Sequence, residues 1–405
     1  MSQATCSFSR KAAIVIAAEM AGEGHAVFLA QFAYYQGRQA WKGNRPSGDP
    51  MQSTPICSYL PNGLRVILAA SLFAVSGWSH AHPFCVATAQ QFQDALTQSS
   101  NGGVYNGEDN DIYMVGGTYH TGAATGNAPF FYYSPNSTHA IKIVGGYAAG
   151  CSTGTSQTPP TTLDGGGNTG VLTIRNSHGN VIVQQLTLQN GESAEPGAGL
   201  QVNYLVTVNA SVLIRKNIIR NNHSSVDAGG LYASGDSRLS VISNLIADNS
   251  TDANYGGAYL TGFGLPSLVY NNTVTQNFAS TTSATVGGLY FGGGAVVDIL
   301  NNIFWNNNSV GLYLGNSSAN VVFNAYGTLG GNAPAATYGN FVKVNPKFLN
   351  ASGGDFHLIG ISPLLGVSTE LVTYDDLDGN LHPQSGKVDL GAYEDTIFTD
   401  GLDGG

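Results

Sequence analysis

Hydrolysis of a glycosidic bond needs two carboxylates at a set separation, and a calcium-dependent eliminase needs an acidic cluster beside a proton acceptor. The carboxylates in the middle of this 405-residue chain are scattered: Glu192, Glu195, Asp227, Asp236, Asp248, Asp252 and Asp298, with no adjacent pair. Glu195, Asp227 and Asp252 fall in corresponding loops of a repeat, so they are the candidates for catalysis or for a calcium ion. The plainer expectation for each is a solvated loop carboxylate. His120, His139, His178, His223, His357 and His382 are dispersed without metal-ligand spacing, so no zinc site is expected. Asp375-Asp-Leu-Asp-Gly379 puts its glycine and acids at the wrong offsets for an EF-hand and reads as a turn. No nucleophile motif or phosphate loop is present.

A second set of residues suits binding. Tyr232, Tyr259, Tyr290 and Tyr313 stand between apolar pairs: Leu231 and Ala233, Ala258 and Leu260, Leu289 and Phe291, Leu312 and Leu314. Alternate residues of a strand face opposite sides, so if the apolar ones point inward the tyrosines point outward. Four rings in successive repeats form a stripe whose flat faces and hydroxyls suit an extended glycan. The competing expectation is that the rings only stack on one another and cover the sheet.

The elements that must carry these residues are repeats. Gln185-Leu-Thr-Leu-Gln-Asn190, Asn217-Ile-Ile-Arg-Asn-Asn222, Asn244-Leu-Ile-Ala-Asp-Asn249, Asn272-Thr-Val-Thr-Gln-Asn277 and Asn302-Ile-Phe-Trp-Asn-Asn307 are five copies of one pattern. Interleaved with them run Gly197-Ala-Gly-Leu-Gln201, Gly229-Gly-Leu-Tyr232, Gly256-Gly-Ala-Tyr259, Gly287-Gly-Leu-Tyr290 and Gly311-Leu-Tyr313. Ile214, Val241, Val269 and Ile299 recur three residues before the asparagines, and Ile219, Ile246, Val274 and Phe304 two residues after. Apolar spacing of two, broken at a fixed point, describes short strands. Repetition at periods in the twenties and low thirties describes a solenoid. The expected fold is all-β: a single-stranded parallel β-helix. Asn217, Asn244, Asn272 and Asn302 should stack at one corner, and Asn222, Asn249, Asn277 and Asn307 at another, as amide ladders. Asparagine also suits the left-handed backbone of a sharp corner. The loop after the second ladder varies most in length, with Phe278–Val286 as an insertion, and variable corners are often the binding face.

Both ends carry signals. Arg65, the apolar run Val66–Val75 and Ser76-Gly-Trp-Ser-His-Ala81 have the layout of a secretory signal peptide, too short to span a bilayer. Met51 is a suitable start for it, so residues 51–81 read as the leader and 1–50 as a mis-assigned extension. Cleavage leaves Cys85 and Cys151, which suggests one disulfide in an exported protein, worth about 4 kcal/mol on a chain-entropy basis. It also leaves nine Lys and Arg against twenty-two Asp and Glu, a net charge of −13. Such a surface disfavours nucleic acid, anionic lipid and polyuronates, the last unless calcium bridges the charges. Thr88-Ala-Gln-Gln91 is a capping-box match that opens an amphipathic helix over Ala89–Thr97, expected to cap the N-terminal end.

Three stretches resemble exported bacterial right-handed parallel β-helix proteins that end in a choice-of-anchor Q domain, within the pectate-lyase-like group. They are Phe84–Leu96, then Ile143-Val-Gly-Gly-Tyr-Ala-Ala-Gly-Cys151 with Thr162-Leu-Asp-Gly-Gly-Gly167, and the C-terminal series Asn345-Pro-Lys-Phe348, Phe356-His-Leu358, Ser362-Pro363, Asp376-Leu-Asp-Gly379 and Val388-Asp-Leu-Gly-Ala-Tyr-Glu394. His382-Pro383 stands where that family has Arg-Pro, and Ser362–Val367 lacks its acidic residue. The resemblance implies right-handed coils over 131–345, an N-terminal cap with the first rung over 82–130, a C-terminal cap over 346–395 and a tail over 396–405. It implies location outside the cytoplasm and little chemistry. The expectation is a secreted or surface β-helix without catalysis, binding glycan or envelope material along Tyr232, Tyr259, Tyr290 and Tyr313. No cofactor is expected apart from the calcium option, no membrane span in the mature chain, and the oligomeric state is open. The alternative is a polysaccharide lyase or glycoside hydrolase working at Glu195, Asp227 and Asp252.

Overall fold

The computed structural model describes residues 81–152, 160–176, 178–204, 210–280, 285–315, 318–370, 375–382 and 387–394. The expected extension 1–50, the apolar run Val66–Val75 and the tail Ile397–Asp403 lie outside the described residues. The described part is a right-handed parallel β-helix. Each coil contributes one strand to a ten-stranded sheet running from His82–Val86 to Ala336–Tyr338. It then contributes one to a nine-stranded sheet, from Gly117–His120 to Phe341–Val342, and one to an eight-stranded sheet, from Phe130–Ser134 to Leu329–Gly331. All pairings in these three sheets are parallel. At the corner between the nine- and eight-stranded sheets, Glu192–Ser193, His223–Ser224, Ser250–Thr251 and Phe278–Ala279 form a fourth, very short sheet. The start of the expected insertion after Asn277 is thus part of the regular coil.

The period-two pattern sets the core. Ile214, Val241, Val269 and Ile299 are fully buried, as are Ile219, Ile246, Val274 and Phe304 from the next sheet. Leu231, Leu260, Leu289, Phe291 and Leu314 close the third side with at most 1% exposure. Burial of each such side chain contributes about 1.5–3 kcal/mol, and every coil finds its partners in the coils above and below.

The asparagines form the ladders, and they run further than the repeats indicate. Asn217, Asn244, Asn272, Asn302, Asn324 and Asn340 each donate Nδ2 to the Oδ1 of the next, at 2.9–3.3 Å. The second ladder joins Asn222, Asn249, Asn277 and Asn307 at 2.9–3.0 Å. The left-handed backbone falls one residue earlier than expected. Lys216, Ser243, Asn271, Asn301 and Phe323 have φ of 50–59° ahead of the first ladder, and Asn221, Asp248, Gln276 and Asn306 of 52–57° ahead of the second. The ladder amides must stay in the extended conformation that aims their side chains along the stack, so the turn is taken by the preceding residue, at about 1–2 kcal/mol each when it is not glycine.

The N-terminal end is closed by the helix Ala89–Ser99, with Thr88 Oγ1 accepting from the Gln91 N–H and Phe92, Ala95 and Leu96 buried against the first coil. This helix also satisfies a sheet edge. Gln93 exchanges side-chain hydrogen bonds with both backbone groups of Phe131, and Ser100 Oγ accepts from the Tyr133 N–H. Cys85 and Cys151 form a disulfide with Cα atoms 5.7 Å apart.

The C-terminal segment lies along the side of the coil. Phe356, Leu377, Ala392 and Tyr393 pack on Leu245 and Ala247, and Leu358, Leu364 and Leu390 pack on Ile303 and Ala325. Those four coil residues are outward positions of the nine-stranded sheet. The Asp375 carboxylate pairs with Arg215 and with Lys216, the latter at 2.8 Å. The Gly391 N–H donates to Asn301 O at 2.7 Å. Val342 of the final coil remains 53% exposed. His382 makes a buried bond of 2.7 Å from Nδ1 to Glu394 Oε2.

Candidate functional site

Of the three long faces, the nine-stranded one is covered by the C-terminal segment. Among the described residues, no segment packs over the short corner sheet or the eight-stranded face beside it. Its outward column is fixed by strand register: Phe131, Thr173, Gln201, Tyr232, Tyr259, Tyr290 and Tyr313 lie in that order across successive coils.

The four tyrosines are half-buried and touch one another. Ring centroids are 5.5 Å apart for Tyr232–Tyr259, 5.1 Å for Tyr259–Tyr290 and 5.5 Å for Tyr290–Tyr313. A fifth ring joins them. Tyr255, from the corner loop, stacks on Tyr259 at 4.2 Å and reaches Tyr290 at 4.9 Å. Burial raises the Tyr255 hydroxyl to about 12, helped by Tyr259, Tyr290 and Asp227 nearby, and burial raises Tyr290 as well. Both therefore stay protonated and able to donate. Tyr290 lies over Gly292 and Gly315, where an added Cβ would come within 2.7 Å and 2.2 Å of its hydroxyl. The stripe is thus a cluster in which the rings cover both sheet and each other. Tyr255 carries no repeat signal, since it occurs in one coil only.

The carboxylates Glu195, Asp227 and Asp252 each have their own hydrogen-bond surroundings in the corner loops. Asp227 Oδ1 accepts from the backbone and side chain of Asn254 at 3.1 and 3.2 Å, which fixes the next corner loop. Asp252 stands in ladder register beside Ser225, its N–H on Ser224 O at 3.0 Å, and its carboxylate is 3.5 Å from His223 Nε2. His223 also holds Ser250 Oγ at 3.0 Å through Nδ1 and lies 3.9 Å from Glu192. Glu195 projects from the corner loop, whose turn is set by its N–H on Ser193 Oγ at 2.9 Å. Among the described residues, no three His, Cys, Asp or Glu side chains converge as a metal site.

A cleft of about 370 Å³ opens at the N-terminal end of the same face, between the first three strands of the sheet and the corner loop Glu192–Gly197. Phe131 and Tyr133 lie at this end, 39% and 40% exposed, with rings parallel to within 9° and 6.2 Å apart. Arg175 extends over Phe131 at 5.8 Å. Gln201 lines the wall and Glu192 and Glu195 the rim. The cleft adjoins the tyrosines. Gly197 has φ +77°, and a Cβ there would meet Tyr232 Cβ at 2.7 Å, so only glycine lets the loop turn down between cleft and stripe. Sequence reasoning passed over this end because the first strands, Phe130–Ser134 and Leu172–Asn176, lack the Gly-Gly-Leu-Tyr pattern.

Residues 160–325 match the family described as right handed beta helix region. No curated protein and no solved structure matches the chain. The match covers the coils that bear the ladders and the tyrosines, so the class to which fold and face point is a right-handed β-helix protein. No helix among the described residues is long and apolar enough to cross a membrane.

Proposed function

We propose that this protein is an exported, non-catalytic β-helix that binds an extended glycan along the outer face of its eight-stranded sheet. The observation that carries this reading is the outward column of half-buried tyrosines on successive coils, with the cleft beside Phe131 and Tyr133 in the same strand register beyond the Gly197 turn. Rings repeat with the coil spacing, the Tyr255 and Tyr290 hydroxyls stay protonated, and a rigid ladder-built scaffold holds them, so little ordering accompanies binding. The test is size-exclusion chromatography of a polysaccharide panel with the purified protein, with and without calcium. Unshortened chains that co-elute, and that are lost with Tyr232→Ala and Phe131→Ala together, are the expected result. Shortened chains would overturn the non-catalytic reading and direct attention to Glu192, Glu195 and Asp252. Absence of co-elution across neutral and acidic chains would overturn glycan binding.

A further inference from the structure

Arg175 stands out in the cleft. It is an outward residue of the strand Leu172–Asn176, in register with Tyr133 on one side and Asn203 on the other. Among the described residues it makes no ion pair and no side-chain hydrogen bond, and its Nε is buried without a partner. Arginine keeps its charge at all relevant pH, and its fork of donors matches the paired oxygens of an oxyanion. The ring of Phe131 beneath it offers an apolar platform for a flat-sided ligand. Resting on the glycan reading, we propose that this cleft is a subsite for a sugar unit bearing one isolated anionic group, a carboxylate or a sulfate ester. That group pairs with the Arg175 guanidinium while the sugar face stacks on Phe131. The anion is isolated because the surroundings oppose more than one. Glu192 and Glu195 rim the cleft, and the chain after Ala81 carries a net charge of −13. A single guanidinium offsets one negative charge, whereas a run of them meets repulsion from rim and surface.

The test is titration of the ¹⁵N-labelled full-length protein with glucose, glucuronate, glucose 6-sulfate and polygalacturonate, following the Arg175 Nε–H resonance together with calorimetry. Glucuronate, glucose 6-sulfate or both should bind at least tenfold more tightly than glucose and shift that resonance, and the two arms tell carboxylate from sulfate. Arg175→Gln should abolish the tenfold preference. Glu195→Gln, in an exposed loop, should tighten the charged sugar about twofold and keeps the test valid if Arg175→Gln fails to fold. Equal affinity for charged and neutral sugars, or a preference that survives Arg175→Gln, overturns the anionic subsite while glycan binding stands. Tighter calcium-free binding of polygalacturonate, per sugar unit, than of glucuronate overturns the isolated charge. If none of the probes binds and the polysaccharide panel is also negative, the glycan reading falls with it.

Discussion

Asn272→Ala removes the central rung of the first ladder and should cost about 3–4 kcal/mol. Asn272 Nδ2 donates to Asn302 Oδ1 and to Val241 O, both at 2.9 Å, and its Oδ1 accepts from the Asn244 backbone N–H and Nδ2, both at 3.0 Å. Two of the four partners keep other bonds. Asn302 Oδ1 still accepts from the Asn272 N–H, and Asn244 Nδ2 still donates to Ile214 O and Ile242 O. The Asn244 N–H and Val241 O lose these partners in a site with no exposure. A buried polar group left unpaired costs about 1–3 kcal/mol, and the small void adds to that. Asn307→Ala is the matched control. It ends the second ladder, holding the Asn277 N–H and Nδ2 and the Val274 carbonyl, but it is itself half-buried, so water can enter the vacated site and the same substitution should cost less, about 1–2 kcal/mol. Denaturant unfolding of both variants gives the difference, and hydrogen exchange at the Asn244 amide reads the orphaned donor directly. Equal costs for the two, or unchanged protection at Asn244, would refute the view that the amide stack holds the corners.

Further expectations concern the attached parts. Asp375→Ala leaves Lys216, only 2% exposed, without its carboxylate, and should destabilise the C-terminal segment by about 3 kcal/mol, read by limited proteolysis. His357 is raised from 6.5 to about 9, chiefly by the bond to Asp378 with Asp355 assisting against burial. The folded form therefore holds that proton more tightly than the unfolded one. The contribution is complete below about pH 6.5 and disappears as pH passes 9. With 41% of the side chain exposed, solvent screening leaves about 1 kcal/mol, and a thermal melt series should lose this slope in His357→Gln. Tyr255→Ala uncovers Tyr259 and Tyr290, costs about 1 kcal/mol, and should remove one of the phenols titrating near pH 12 from an ultraviolet titration. Reduction of Cys85–Cys151, which are 66 residues apart, should cost about 4 kcal/mol and loosen the His82–Val86 edge strand first in hydrogen exchange.

What could be read in advance was whatever the coil repeats. Apolar spacing of two, asparagines at fixed offsets and Gly-Leu-Tyr each recur because every coil meets the same neighbours, so Val241, Val269 and Ile299 could be assigned inward from sequence. Features that occur once left no such trace. Tyr255 belongs to one loop, and Arg175 to a coil that has lost the tyrosine pattern. The packing of Phe356, Leu377, Ala392 and Tyr393 on Leu245 and Ala247, and of Leu358, Leu364 and Leu390 on Ile303, depends on contacts more than fifty residues apart in sequence, with no period to betray them. The left-handed turn was expected at the ladder asparagines because their side chains suit it. Its place at Lys216, Ser243 and Phe323 shows that the ladder geometry outranks local preference.

Those single features are what the proposed binding reading rests on. A bare β-helix offers three equivalent faces, and the repeats alone do not choose among them. Outward Leu245, Ile303 and Ala325 would leave an apolar strip on the nine-stranded face, and the C-terminal segment covers it. On the eight-stranded face the outward strip from Tyr232 to Tyr313 is aromatic and stacked on itself, and the same face carries at its N-terminal end a cleft where Arg175 makes no ion pair among the described residues. A ligand for that face must supply flat apolar surface along the coils and one acceptor group at the N-terminal end. A neutral glycan with a sparse charge meets both demands, whereas a uniformly charged chain meets only the second, against a surface of its own sign.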